Sequence, residues 1–111
     1  MSVKGAVMVP HPPLIIPEVG RGQEKEIQST IDAYHQAAEK TASWKPDTVV
    51  VLSPHSMMYA DYFHISPGKG AEGSFGQFRA PQVKIRVEYD TEFVSLLSRE
   101  AEARDLPAGT L

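Results

Sequence analysis

The chain has 111 residues and contains no cysteine. That excludes disulfides and thiolate metal sites, so any metal must be held by His, Asp or Glu. No run approaches the roughly 20 apolar residues that a membrane-spanning helix needs, and the N-terminus lacks a signal-peptide pattern. Positive charge is scarce as well: 11 Lys and Arg stand against 14 Asp and Glu, for a net charge of −3. Nucleic-acid-binding modules usually present a basic stripe, so neither a nucleic acid nor a membrane is expected as a partner. A soluble cytoplasmic protein is the simplest expectation. The remaining composition, 41% apolar and 23% charged, is ordinary for a folded protein and bounds it at one modest domain.

Along the chain, residues 3–9 read as a buried strand, short, continuous and β-branched at intervals. Pro10, Pro12, Pro13 and Pro17 then oppose regular structure until Gly20 and Gly22. From residue 23 to residue 43 the period is helical, with Ile27, Ile31, Tyr34 and Ala38 on one face. Trp44-Lys45-Pro46 stops the helix, because Pro46 disfavours helical geometry in the residue before it. Thr48-Val49-Val50-Val51-Leu52 shows no polar alternation, as expected of a parallel strand covered on both faces. Strand, helix and strand in this order predict a right-handed βαβ unit. Residues 62–66 predict a third strand, and residues 84–89 an edge strand with alternating charge. Asp90 caps a last helix over residues 91–104, with Phe93, Leu96, Leu97 and Ala101 as its apolar members. The fold class is therefore α/β, a βαβ-containing sheet flanked by helices. Leu106-Pro107-Ala108-Gly109-Thr110-Leu111 follows that helix with no polar tail. A doubly wound sheet needs more strands than this length supplies, so a larger α/β domain is expected.

Both apolar runs end in the same dipeptide. The first continues into Pro10-His11-Pro12-Pro13, the second into Ser53-Pro54-His55-Ser56. Parallel neighbours lie roughly 4.8 Å apart, and open α/β sheets place ligands outside the carboxyl ends of their strands. Two imidazoles emerging there could share one metal ion. Flanking prolines stiffen the His11 turn, although an incidental histidine in a proline-rich turn has the same sequence. Neutral imidazole suits Fe, Zn, Cu and Ni, and two histidines with one carboxylate is the arrangement of non-haem Fe(II) oxygenases. Glu18 and Asp61 could supply the carboxylate, as could a segment outside the chain, and a backbone-bonded loop role suits Asp61 better.

Other features are weaker. His35 fits an exposed or capping role. His64, between Phe63 and Ile65, fits a core or supporting position, with proton transfer as its catalytic alternative. Gly68-Lys69-Gly70-Ala71-Glu72-Gly73 matches G-x-G-x-x-G, but a nucleotide fingerprint needs a helix directly after it. Ser74-Phe75-Gly76-Gln77-Phe78 follows instead, a connection or a flap tipped by Phe75 and Phe78. Ser53 and Ser56 lack the strand-to-helix elbow of a hydrolase nucleophile. Met57-Met58-Tyr59 could line an aromatic pocket, although core packing is the commoner use.

With both Pro-His turns in view, the chain resembles the catalytic (LigB-like) subunit of class III extradiol ring-cleavage dioxygenases. The matching residues are Val9-Pro10-His11-Pro12-Pro13, Ser53-Pro54-His55-Ser56 and Asp61-Tyr62-Phe63-His64-Ile65-Ser66-Pro67-Gly68. The likeness is greatest to the branch associated with the AmmeMemoRadiSam system and related to the Memo proteins. The resemblance implies that residues 1–111 are the N-terminal portion of a single LigB-like (phosphorylase/hydrolase-like) catalytic domain. It implies His11 and His55 as two of three Fe(II) ligands, with a small aromatic diol and dioxygen as substrates and a homo-oligomer as one assembly. The family's glutamate ligand and its catalytic histidine in an Asp-His-Gly context have no counterpart here, so this stretch is expected to be inactive alone. Two other readings use the same histidines. One is a Zn-dependent hydrolase or ring-opening enzyme without redox chemistry, Zn or Cu being the alternative metals to Fe(II). The other is a Memo-like non-catalytic metal-binding or scaffold protein.

Overall fold

The computed structural model describes residues 2–55 and 58–111, so the expectations for Ser56 and Met57 lie outside the described residues. It carries the helices α1 (Pro17–Gly20), α2 (Gln28–Ser43) and α3 (Thr91–Ala103). Its strands are β1 (Phe63–His64), β2 (Gly70–Phe75), β3 (Ala80–Glu88) and β4 (Ala108–Gly109). The chain forms two compact units, Met1–Val49 with Gly73–Ile85 and Val50–Glu72 with Arg86–Leu111. Helix and sheet are mixed, which is compatible with the α/β class.

In the first unit, a 3₁₀ turn over Gln23–Ile27 leads into α2. Ile27 just before α2 and Thr30, Ile31, Tyr34, Ala37 and Thr41 within it are half-buried, a stripe at helical spacing. Ala38, expected on that stripe, is exposed and Ala37 takes its place. The face turns as the helix approaches half-buried Trp44. Lys45 then adopts φ 49° and donates its N–H to the Ala42 carbonyl at 3.0 Å, and Pro46 prevents continuation. The Trp44 indole lies over Gly5 so closely that a Cβ there would overlap the ring.

The proline loop has more regular structure than its composition suggests. Pro13–Ile15 forms a 3₁₀ turn and Pro17 opens α1. Proline is tolerated at the first position of a helical turn, where its missing N–H would have had no partner anyway. Gly20 is buried against the Leu14 carbonyl, 2.8 Å from where a Cβ would sit. Arg21 ends the loop at φ 51°, and its guanidinium donates to the Arg79 carbonyl at 3.0 Å.

β2 and β3 pair in a two-stranded sheet. Their link, the 3₁₀ turn Gly76–Phe78 followed by Arg79 at φ 61°, is far too short for a parallel crossover, so the pair is an antiparallel hairpin.

In the second unit, β1 pairs in parallel with β4, Phe63 opposite Ala108 and His64 opposite Gly109. The ladder is closed by Phe63 N–H to Pro107 and Ile65 N–H to Gly109, both 2.8 Å. The third strand is thus present, shortened to two residues, while β4 carries no recognisable strand pattern. Asp90 caps α3 as expected, accepting from the Phe93 N–H at 3.0 Å. The helix ends in a Schellman arrangement: Leu106 N–H bonds the Ala101 carbonyl and Asp105 N–H that of Glu102, at 2.9 and 3.1 Å. Asp105, at φ 56°, occupies the place glycine usually takes. Ala101 is buried and Phe93 half-buried, whereas Leu96 and Leu97 remain exposed.

The described residues do not form the expected βαβ sheet. Among the described residues, neither residues 3–9 nor residues 48–52 stand in a strand ladder. A helix closes its hydrogen bonds within its own segment, whereas a strand exists only beside a neighbour. Burial is correspondingly shallow. Ala80 and Ala101 are the buried apolar side chains among the described residues.

Candidate metal-ligand turns

His11 is exposed and stands between Pro10 and Pro12 in the first unit. Pro12 is extended, with φ −70° and ψ 132°, and its carbonyl accepts from the Ile15 N–H at 3.1 Å. The turn that carries the imidazole is therefore fixed from its C-terminal side by the 3₁₀ turn behind it.

His55 is exposed in a turn of the second unit. Its backbone N–H donates to Ser53 Oγ at 3.2 Å, a local side-chain bond that holds the chain in a turn without a helix or ladder. Ser53 thus has a structural partner rather than a nucleophile's setting. Convergence at one sheet edge was expected from parallel pairing of the two apolar runs, and that pairing is not formed among the described residues.

The donor chemistry fits a metal in part. Imidazoles on restrained, exposed turns are suitable nitrogen donors for a borderline divalent ion. Glu18 in α1 and Asp61 are both exposed. Among the described residues, no group of three or more His, Asp or Glu side chains is placed to hold a metal ion. His11 and His55 stand as candidate nitrogen donors, each in its own unit.

His64 has a more distinctive setting. It is half-buried in β1, and its Nδ1 is buried with no hydrogen-bond partner. The Tyr59 ring lies 5.9 Å away, tilted by 59°, and Tyr62 stands edge-on to Tyr59 at 5.9 Å. The Tyr62 hydroxyl presses against Gly109, leaving no room for a Cβ. This cluster of Tyr59, Tyr62 and His64 was not foreseen. Its signal was the period of two, which puts Tyr62 and His64 on one face of a strand.

The remaining motifs resolve simply. His35 is exposed on α2. Gly70 opens β2 and Gly73 lies inside it, so the glycine motif runs into a strand and not directly into a helix. Phe75 and Phe78 pack on each other with centroids 6.1 Å apart, at a hairpin turn tied to Arg21. An open groove of about 700 Å³ runs along the base of the hairpin, lined by residues that include Lys69, Glu72, Arg86 and Tyr89, and it contains none of the histidines.

Residues 5–110 match the family model described as the catalytic LigB subunit of aromatic ring-opening dioxygenase. Both Pro-His turns fall within that match. The chain is also similar to Protein CA_C1420 of Clostridium acetobutylicum, with 35% identity over 108 residues. That alignment covers 97% of this chain and 23% of the Clostridium protein, so the chain spans about a quarter of its relative's length. No solved structure matches the chain.

Proposed function

The chain belongs to the family of catalytic LigB subunits of aromatic ring-opening dioxygenases, and on that premise we propose that it is part of an extradiol ring-cleavage dioxygenase. Residues 1–111 are read as the N-terminal portion of one LigB-like catalytic domain, acting in the cytoplasm on a small catecholic diol and dioxygen. His11 and His55 would hold Fe(II), and the third ligand would come from polypeptide outside the chain. When bound, the ferrous ion supplies the redox and Lewis-acid chemistry of ring opening.

The observation that carries this reading is the pair of exposed imidazoles on locally restrained turns, both within the matched region. The work of this chain is positioning. Pro10 and Pro12 limit the backbone freedom lost when His11 binds. The His55 N–H to Ser53 Oγ bond does the same for the second turn. Bringing both reactants to one centre removes much of the entropy cost of their encounter, and restrained ligands keep that centre in place. His64, with its buried Nδ1, is the candidate in this chain for holding a proton.

The test is oxygen uptake with catechols after anaerobic loading with Fe(II) or with Zn(II). It is best done with this chain carried in place of the matched segment of the longer Clostridium relative. Uptake with iron alone supports the proposal. Tight zinc with no uptake would replace it by a hydrolytic reading. Metal binding without cleavage of any diol would favour a Memo-like binding protein.

A further inference from the structure

Two arginines of the first unit stand where the backbone favours glycine. Arg21 closes α1 at φ 51°, and Arg79 closes the Gly76–Phe78 turn at φ 61°. Glycine adopts that left-handed conformation without steric cost and is the usual residue at such ends. Ending the turns therefore gives no reason for arginine, and its side chain has to supply one.

Both backbones are fixed. The Arg21 N–H donates to the Pro17 carbonyl at 2.8 Å, and the Arg79 N–H to the Gly76 carbonyl at 3.0 Å. Ala80, directly after Arg79, is fully buried. The Arg21 guanidinium donates to the Arg79 carbonyl from 58 residues away in sequence. That bond brings two exposed cationic residues together.

Their charge is unanswered within the described residues. Neither arginine stands in an ion pair there, and the pair that is formed, Arg104 with Glu100, lies in the other unit. Glu24, close by in sequence, turns a carboxylate oxygen to the Gly22 N–H at 2.7 Å. A guanidinium carries five N–H donors in a planar fork. Arg21 directs one NH₂ group at the carbonyl, which leaves most of both forks available. Two such forks on rigid backbone are suited to an oxyanion, which they bind through charge-assisted, bidentate hydrogen bonds.

An aromatic surface adjoins them. Phe78, next to Arg79, is 38% exposed, and its ring packs on Phe75 with centroids 6.1 Å apart. A ring braced from one side and open on the other offers flat apolar contact beside the donors.

We propose that Arg21, Arg79 and Phe78 form a binding site for a small aromatic oxyanion, its carboxylate or phosphate held by the guanidiniums and its ring against Phe78. The inference rests on the geometry of the first unit and does not depend on the metal reading.

NMR of the arginine Nε–H and phenylalanine ring signals tests it, with phenyl phosphate, benzoate, inorganic phosphate and chloride titrated at constant ionic strength. Signals of Arg21, Arg79 and Phe78 should move on one saturable curve with an aromatic anion, at a dissociation constant of about 1 mM or below. A response to phenyl phosphate alone assigns a phosphate ligand, and a response to benzoate alone a carboxylate. Arg79→Gln should weaken binding at least roughly tenfold with circular dichroism unchanged, because the Arg79 side chain bonds nothing among the described residues. It is the decisive variant, since Arg21→Gln also cuts the tie to the hairpin. Arg104→Gln should change nothing, and Phe78→Leu should weaken the aromatic anions while sparing inorganic phosphate. Shifts that chloride reproduces, or binding that survives Arg79→Gln, overturn the proposal.

Discussion

His11 and His55 follow the same dipeptide, yet the two turns are supported in different ways. Behind His11 the chain closes at once into a 3₁₀ turn and α1, and Arg21 ties the loop's end to the hairpin turn at Arg79. Before His55 runs the exposed segment 49–52, and the turn is held through Ser53 Oγ. The first turn is fixed by local chain geometry. In the second, the hydroxyl of Ser53 is a local restraint on the backbone of His55. A proline-rich loop carries its own scaffold, whereas a run of strand composition has to borrow one from a sheet.

The largest expected effect tests what the two turns share. His11→Ala and His55→Ala should each weaken Fe(II) or Zn(II) binding by at least the roughly 100-fold that loss of a mere outer-shell partner can cost. Calorimetric titration measures this, with circular dichroism showing helix content unchanged. A loss confined to one variant would break the comparison, because the two imidazoles would then serve different purposes.

The next effect separates the runs that precede the turns. Gly5→Ala forces a methyl into the Trp44 ring and should cost about 1–3 kcal/mol of stability, as overpacking does. Val50→Ala, at a side chain largely in water, should stay within about 0.5 kcal/mol. Chemical denaturation of the isolated chain distinguishes them, and equal losses would mean that the second run is as well anchored as the first. Asp90→Ala removes the α3 cap and should cost about 1 kcal/mol, with faster amide exchange at Phe93. The smallest change is Ser53→Ala. Loss of an exposed bond of this kind should cost about 0.5 kcal/mol or less, while metal affinity falls a few-fold because the His55 turn loosens. No change in affinity would show that Ser53 does not restrain that turn.

The features legible in the sequence are those whose physics is local. Both long helices, the Asp90 cap and the stop at Trp44-Lys45-Pro46 follow from side chains acting within a few residues. The strands do not, because a strand's partner lies outside its own segment. Residues 3–9 and 48–52 have strand composition without a ladder, whereas Ala108 and Gly109 form one with no composition to announce it. At the site, the pattern singled out His11 and His55, but periodicity contains no distance between them. The packing of Tyr59, Tyr62 and His64 was hidden for the same reason. It depends on Gly109, more than forty residues away along the chain.

The central claim is that His11 and His55 serve one metal ion. Ring signals of all four histidines, followed by NMR during anaerobic Fe(II) titration, address it most directly. The prediction is that His11 and His55 broaden in step and saturate together at one equivalent, with His35 and His64 unaffected at that point. Broadening of His11 and His55 at different iron concentrations, or of one without the other, would contradict it.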